Sequence, residues 1–224
     1  YDRFARCTHG ALIRNDFEWM EYWRWENEEE RTAAVYYDAK DIPQGFLLYW
    51  VEEDVFHIRE MVYLTQEARK GLWNFIRAHY SMIDAVKGHI YTGEPLAFLL
   101  DESQIQETIE PYFMARIVDV AQFLRPYPFE GSIRPFHFVV TDPMAEWNNG
   151  IFSVATDREG TVSVTDEPAG KAVELDIQTL SAMLMGYKRP SYLARIERLH
   201  TDKRTLRLLE EIIPDGQPYF SDYF

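Results

Sequence analysis

The sequence predicts an α+β protein of two domains, and three observations carry that assignment. A hairpin, a helix and a further strand follow one another between Gly45 and Tyr91. A run of short strands, separated by turns rich in Asp, Asn, Gly and Pro, fills residues 133–175. Amphipathic helices then close the chain. With 224 residues, 46% hydrophobic and 15% aromatic, the chain is long and apolar enough to bury a substantial core.

The first helix is announced by Asn15 as N-cap and Glu18 three residues on, the pattern of a capping box. Phe17, Met20 and Trp23 recur at a spacing of three and give it one apolar face. Arg31–Asp38 reads as a strand around its TAAVYY core. Gly45–Val51 and Val55–Tyr63 are two strands joined by the acidic turn Glu52-Glu53-Asp54. In the second, Phe56, Ile58, Glu60 and Val62 alternate with Val55, His57, Arg59 and Met61, so one face is the more apolar. Thr65 caps a helix whose buried stripe is Ala68, Leu72, Phe75, Ile76 and His79. A strand near Ala85–Tyr91 completes this unit.

A change of organisation falls near Glu110. From Tyr112 the pattern gives a strand and a short helix, and Leu124–Gly131 reads as a loop. Strands follow at Ile133–Thr141, Ile151–Thr156, Thr161–Thr165 and Ala172–Leu175, with turns at Asn148-Asn149-Gly150 and Arg158-Glu159-Gly160. Asp176 caps a helix carrying Ile177, Leu180, Met183 and Leu184. Tyr192, Ile196 and Leu199 mark a second after Pro190, and Thr201 caps a third carrying Leu206, Leu209 and Ile213. The end, Pro214–Phe224, is irregular and aromatic.

The formal charge of −14 disfavours nucleic acid and anionic membranes as partners and favours cations. No apolar run approaches the ~20 residues of a membrane helix. A single cysteine, Cys7, leaves no internal disulfide and suits a reducing, cytoplasmic setting. The chain starts at Tyr1 and not at Met, which reads as a piece of a longer reading frame. The six histidines form no H-x-x-x-H pair, so no metal site is expected. There is no G-x-S-x-G elbow, and the acidic runs read as solvated faces or turns.

Hairpin, helix and strand together resemble the GNAT acetyltransferase core. Active members hold the pyrophosphate of coenzyme A on a Q/R-x-x-G-x-G/A loop at a helix N-terminus. The matching stretch is Gln66-Glu67-Ala68-Arg69-Lys70-Gly71. Gln66 and Gly71 agree, but Arg69 stands at the first glycine and Glu67 adds a like charge. The unit is therefore expected to be a degenerate GNAT-like mixed sheet with helices, spanning 1–110 and lacking the cofactor loop.

Over essentially its whole length the chain resembles the Eis (enhanced intracellular survival) family. The resemblance rests on Tyr1-Asp2-Arg3-Phe4, Gly10–Arg14 through Trp19, Tyr80-Ser81-Met82, Leu184-Met185-Gly186 with Leu193 and Leu199, and the terminal Tyr223-Phe224. It implies that 111–224 is a sterol-carrier-protein-like α/β domain and that a catalytic GNAT domain is missing upstream. It further implies an acetyl-CoA-dependent N-acetyltransferase of aminoglycoside- or polyamine-like amines, assembled as a homo-oligomer, a hexamer in the family. The cofactor site would lie outside this chain. The catalytic base would be the α-carboxylate of Phe224, with Asp222 and Tyr223 beside it and Phe4 and Trp19 walling the acceptor pocket. Without the resemblance, those two rings read as core or helix-face residues. A lipid-binding sterol-carrier-like module and an oligomer-assembly element are the competing readings.

Overall fold

The protein is described from a computed structural model covering residues 1–24, 31–90, 96–101, 104–110, 112–131, 133–156 and 161–222. It divides into two compact units, Tyr1–Thr108 with Tyr219–Phe224, and Ile109–Pro218.

In the first unit, α1 (Asp2–Arg6) and α2 (Asp16–Arg24) precede β1 (Thr32–Tyr37), β2 (Pro43–Glu52) and β3 (Val55–Tyr63). Then come α3 (Gln66–Arg77), β4 (Ala85–Gly88) and the short α4 (Leu96–Leu99). The strands form one sheet in the order β1-β2-β3-β4. Its first three strands are antiparallel, and β4 joins β3 in parallel after the α3 crossover.

Local chemistry explains the boundaries. The capping box of α2 forms: the amide of Asn15 donates to Glu18 at 2.6 Å, while Asn15 Oδ1 accepts from Phe17 and Glu18. The two-residue turn between β2 and β3 places Glu53 and Asp54 at φ 48° and 62°, the left-handed pair that matches hairpin twist. Thr65 accepts from the amide of Ala68 and starts α3. Leu72 and Ile76 of α3 pack on Leu47, Phe56 and Ile58 of the sheet.

The face expected for α2 is corrected. Phe17 and Met20 are each 63% exposed, and the inward positions are held by Trp19 and the buried Tyr22. This helix is apolar around most of its circumference, so spacing alone could not select the side. The strand expected from Tyr112 is also absent among the described residues.

Gly71 lies under the ring of Tyr36. A β-carbon there would stand 2.2 Å from a Tyr36 ring carbon, and the Tyr36 hydroxyl donates to Glu67 at 3.0 Å.

The second unit contains α5 (Val120–Leu124), β5 (Phe136–Thr141), β6 (Gly150–Thr156), β7 (Val162–Thr165) and β8 (Lys171–Asp176). It ends with α6 (Ile177–Leu184), α7 (Pro190–Arg195), β9 (Leu199–His200) and α8 (Lys203–Ile212). The sheet order is β7-β6-β5-β8-β9, with β5 and β8 parallel. Phe136, Phe138, Leu180, Met183 and Leu184 fill its core.

Asp176 caps α6 by accepting from Thr179 at 2.7 Å. The helix expected to run from Tyr192 to Leu199 stops at Arg195. Glu197 turns left-handed at φ 60°, and Leu199 enters β9. Asp202, not Thr201, caps α8; Thr201 donates instead to the carbonyl of Ala172. Asp142 ties the loops together, accepting from Arg116, Asn148, Met144 and Ala145. Burial opposes its ionised form, but these donors outweigh burial and hold its pKa near about 2.

The contact at Gly71 generates a prediction. Gly71→Ala should lower stability to urea by about 1–3 kcal/mol, the usual cost of overpacking. In a Tyr36→Ala background the same change should be nearly neutral. An equal penalty in both backgrounds would show that the ring is not the obstacle.

Candidate functional site

A β-bulge turns a carboxylate towards the side of the sheet away from α3. The β2–β3 register slips between Leu48 and Tyr49, which face Glu60 and Ile58, so that Arg59 is the extra residue of the bulge. The extra residue reverses side-chain parity. Phe56 and Ile58 therefore pack with α3, whereas Glu60, two positions further on, emerges on the other face. Glu60 is only 3% exposed there.

Its partner is Arg14, from the segment between α1 and α2. The guanidinium donates to both carboxylate oxygens of Glu60, at 2.9 and 3.0 Å. Its Nε donates to Asp222 at 2.6 Å, and Nη2 donates to the hydroxyl of Ser221 at 3.1 Å. Glu60 also accepts from Ser221 at 2.6 Å and from Tyr219 at 3.1 Å. The Arg14 side chain has no solvent-exposed area. The C-terminal segment is thus bonded to a buried ion pair of the first unit.

Aromatic rings surround the same guanidinium. Its central carbon lies 4.1 Å from the Tyr1 ring centre, 4.3 Å from Tyr22 and 4.7 Å from Trp19. These distances are within cation–π range. Burial disfavours the charge on Arg14, yet hydrogen bonds and attraction from Glu60 outweigh it and raise its pKa. Burial pushes the Tyr1 hydroxyl up to about 12, and raises Tyr22 and Tyr219 with Glu60 adding to the effect. All three hydroxyls are protonated at physiological pH, and that of Tyr219 donates to Glu60.

Three of the residues singled out in the sequence meet here. Phe4 is half-buried, with its ring edge-on to Tyr219 at 5.1 Å. Trp19 packs on Arg14 and, edge-on, on Tyr1 at 5.4 Å. Asp222 turns its carboxylate to Arg14. Tyr223 and Phe224 lie outside the described residues. An open cleft of ≈ 460 Å³ adjoins the cluster, sharing Tyr1 and Trp19 with it and lined further by Phe46, Leu48 and Val62. The sequence reading missed Arg14 and Glu60. The available signal was Glu60 itself, a carboxylate on the more apolar side of a strand pattern, where a partner is required.

The stretch Gln66–Gly71 does not fit a pyrophosphate. It is the first half of α3, its cap position is filled by Thr65, and Glu67 lies in the first turn. The backbone at Gly71 is covered by Tyr36. Among the described residues, no cluster of His, Cys, Asp and Glu could hold a metal, and no helix is long and apolar enough to cross a membrane.

Comparison with known proteins agrees with this architecture. Residues 10–117 match the family model of the acetyltransferase (GNAT) domain, and residues 120–221 match that of the sterol carrier protein domain. The N-acetyltransferase Eis of Mycobacterium tuberculosis (strain ATCC 25177 / H37Ra) is 24% identical over 97% of this chain and 54% of its own length. A solved structure from Enterococcus faecalis V583, described as a probable N-acyltransferase, superposes with a TM-score of 0.89 at 29% identity. That match covers 100% of this chain and 57% of the other. A GCN5-related N-acetyltransferase from Anabaena variabilis ATCC 29413 gives 0.84 at 28% identity, over 99% and 58% of the two chains. The chain therefore joins a GNAT domain to a sterol carrier protein domain. It is a homologue of the Eis N-acetyltransferases, and it spans about half the length (54%) of the curated relatives it matches.

Removing one member of the buried pair leaves the other charge uncompensated. Glu60→Ala should cost about 3–5 kcal/mol in urea unfolding. The triple replacement Arg14→Met, Glu60→Leu and Asp222→Asn should recover most of that loss. A triple variant as unstable as Glu60→Ala would show that the charges themselves hold the unit together.

Proposed function

We propose that the chain is the rear portion of an acetyl-CoA-dependent N-acetyltransferase acting on amines of aminoglycoside or polyamine type. In this reading a catalytic GNAT domain precedes it in the full reading frame and holds acetyl-CoA, which supplies the acetyl group. The present chain provides the proton acceptor and part of the acceptor pocket, and does not turn over alone.

The acceptor ammonium must lose a proton before its nitrogen can attack. The α-carboxylate of Phe224 takes that proton. A free α-carboxylate has a pKa of about 3.3–3.7 and is a weak base, so the role requires surroundings that raise it. Phe4, Trp19, Asp222 and Tyr223 contribute to the pocket around the amine. The charge of −14 draws cationic acceptors towards the protein. Cytoplasmic residence and assembly into a homo-oligomer belong to the same reading.

The observation that supports it is the attachment of the tail. Tyr219, Ser221 and Asp222 all bond to the Arg14–Glu60 pair, which Trp19 covers. The side chains filling the core of the second unit, Phe136, Phe138 and Leu180 among them, favour this reading over a lipid carrier.

The test is deletion of Phe224 in the full-length protein. Turnover of amine substrates should fall ~10²–10⁴-fold, the contribution of a positioned base, with the circular dichroism spectrum and melting temperature retained. Unchanged kcat would remove Phe224 from the mechanism.

A further inference from the structure

We propose that the basic outer face of α8 docks on the acidic β2–β3 turn of a second copy of this chain. The proposal names a contact behind the homo-oligomer and rests on that part of the reading above.

Charge is unevenly spread along the chain. Residues 187–207 carry seven Lys and Arg against Glu197 and Asp202, within a chain of net charge −14. Helix α8 turns Thr205, Leu209 and Ile212 inward and leaves Lys203, Arg204 and Arg207 exposed. Lys203 and Arg207 are four residues apart, and Arg204 and Arg207 three, so the three cations share one side of the helix. None of them is in an ion pair among the described residues.

These cations do not help the helix. Lys203 and Arg204 stand in its first turn, at the positive end of the helix dipole. An acidic side chain would stabilise that turn, and none is present. Lys203 and Arg207 add a like-charge pair at four-residue spacing, which also opposes the helix. Asp202 holds the end closed by accepting from the amides of Arg204 and Thr205. Folding gives no reason for three cations here, whereas an anionic partner does.

The chain carries a matching surface. The turn joining β2 and β3 presents Glu52, Glu53 and Asp54, all exposed. Its shape is fixed by the left-handed pair at Glu53 and Asp54 and by the amide of Asp84, which donates to the carbonyl of Asp54 at 2.7 Å. Asp84 is itself exposed and adds a fourth carboxylate. These acids, too, are in no ion pair among the described residues. Consecutive residues lie about 3.8 Å apart and neighbours on a helix face about 5–6 Å, so the two sets of charges have similar spacing.

Copies of a chain at −14 repel one another. Association requires a place where opposite charges meet, and α8 with this turn is such a place. Every copy carries both halves, so no further partner is needed. The halves differ, which makes the contact heterologous, running head to tail from copy to copy.

The experiment is sedimentation velocity of the full-length protein. Wild type should be oligomeric in about 0.05 M NaCl and loosen in about 0.5 M, where exposed charges are screened. Lys203→Glu with Arg207→Glu should weaken assembly at least ~10-fold, and Glu52→Lys with Glu53→Lys should do the same. All four changes together restore opposite signs and should return assembly to within about three-fold of wild type. Lys203→Glu alone should raise the melting temperature, because it places an anion at the positive end of α8; lost assembly with a raised melting temperature is not unfolding. An oligomer that neither reversal changes, or a fourfold variant no better than the double ones, would overturn the contact and leave the homo-oligomer standing. A wild type that is monomeric at every salt concentration would overturn the homo-oligomer as well. If the α8 reversal abolishes binding to phosphatidylglycerol vesicles while assembly is unchanged, the face serves a lipid surface and the contact between copies is wrong.

Discussion

A guanidinium without access to water must find every hydrogen-bond partner inside the protein. Arg14 commits four of its five N–H groups to two carboxylates and one hydroxyl and is faced by three aromatic rings, all gathered from four places in the chain. Much of the first unit's design follows. The bulge in β3 turns Glu60 away from α3. Helix α2 presents Trp19 and Tyr22 inward and leaves Phe17 and Met20 in solvent. The tail returns across the sheet so that Ser221 and Asp222 complete the set. A single buried charge thus couples the N-terminal helices, the sheet and the C-terminus.

In the GNAT-like unit the stretch Gln66–Gly71 is engaged in packing. A glycine in a phosphate loop allows close approach of a ligand to the backbone. Gly71 allows close approach as well, but of the Tyr36 ring. Glu67, which would repel a phosphate, accepts a hydrogen bond from that same tyrosine. The helix N-terminus that would face pyrophosphate in an active domain is closed by Thr65 and its neighbours.

Local chemistry made much of the fold legible in the sequence. Asn15 with Glu18, Thr65 and Asp176 cap the helices assigned to them, and Glu53-Asp54 makes the hairpin turn. Each of these signals is complete within four residues. The misreadings needed longer-range information. Spacing could not show which side of α2 meets the sheet. The left-handed turn at Glu197 that ends the α7 region was invisible in an otherwise helical pattern. Thr201 and Asp202 are both competent caps, and the choice fell to Asp202 because Thr201 is committed to β8. The site was the least legible part. Phe4, Trp19 and Asp222 could be named by resemblance, but the residues that join them could not. Arg14 and Glu60 are 46 residues apart, and Arg14 and Asp222 are 208. No local pattern reports a contact at that separation.

The claim on which this account depends is that Arg14 and the tail are energetically coupled. A double-mutant cycle measures it directly, using urea unfolding of wild type, Arg14→Lys, Asp222→Asn and the double variant. Contacting charged groups show coupling energies of about 0.5–3 kcal/mol. The account predicts a value of at least about 1 kcal/mol, because both substitutions weaken the same 2.6 Å bond, Arg14→Lys by removing the Nε donor and Asp222→Asn by removing the charge of its acceptor. Strict additivity of the two single changes would mean that the tail does not depend on Arg14, and would contradict the account.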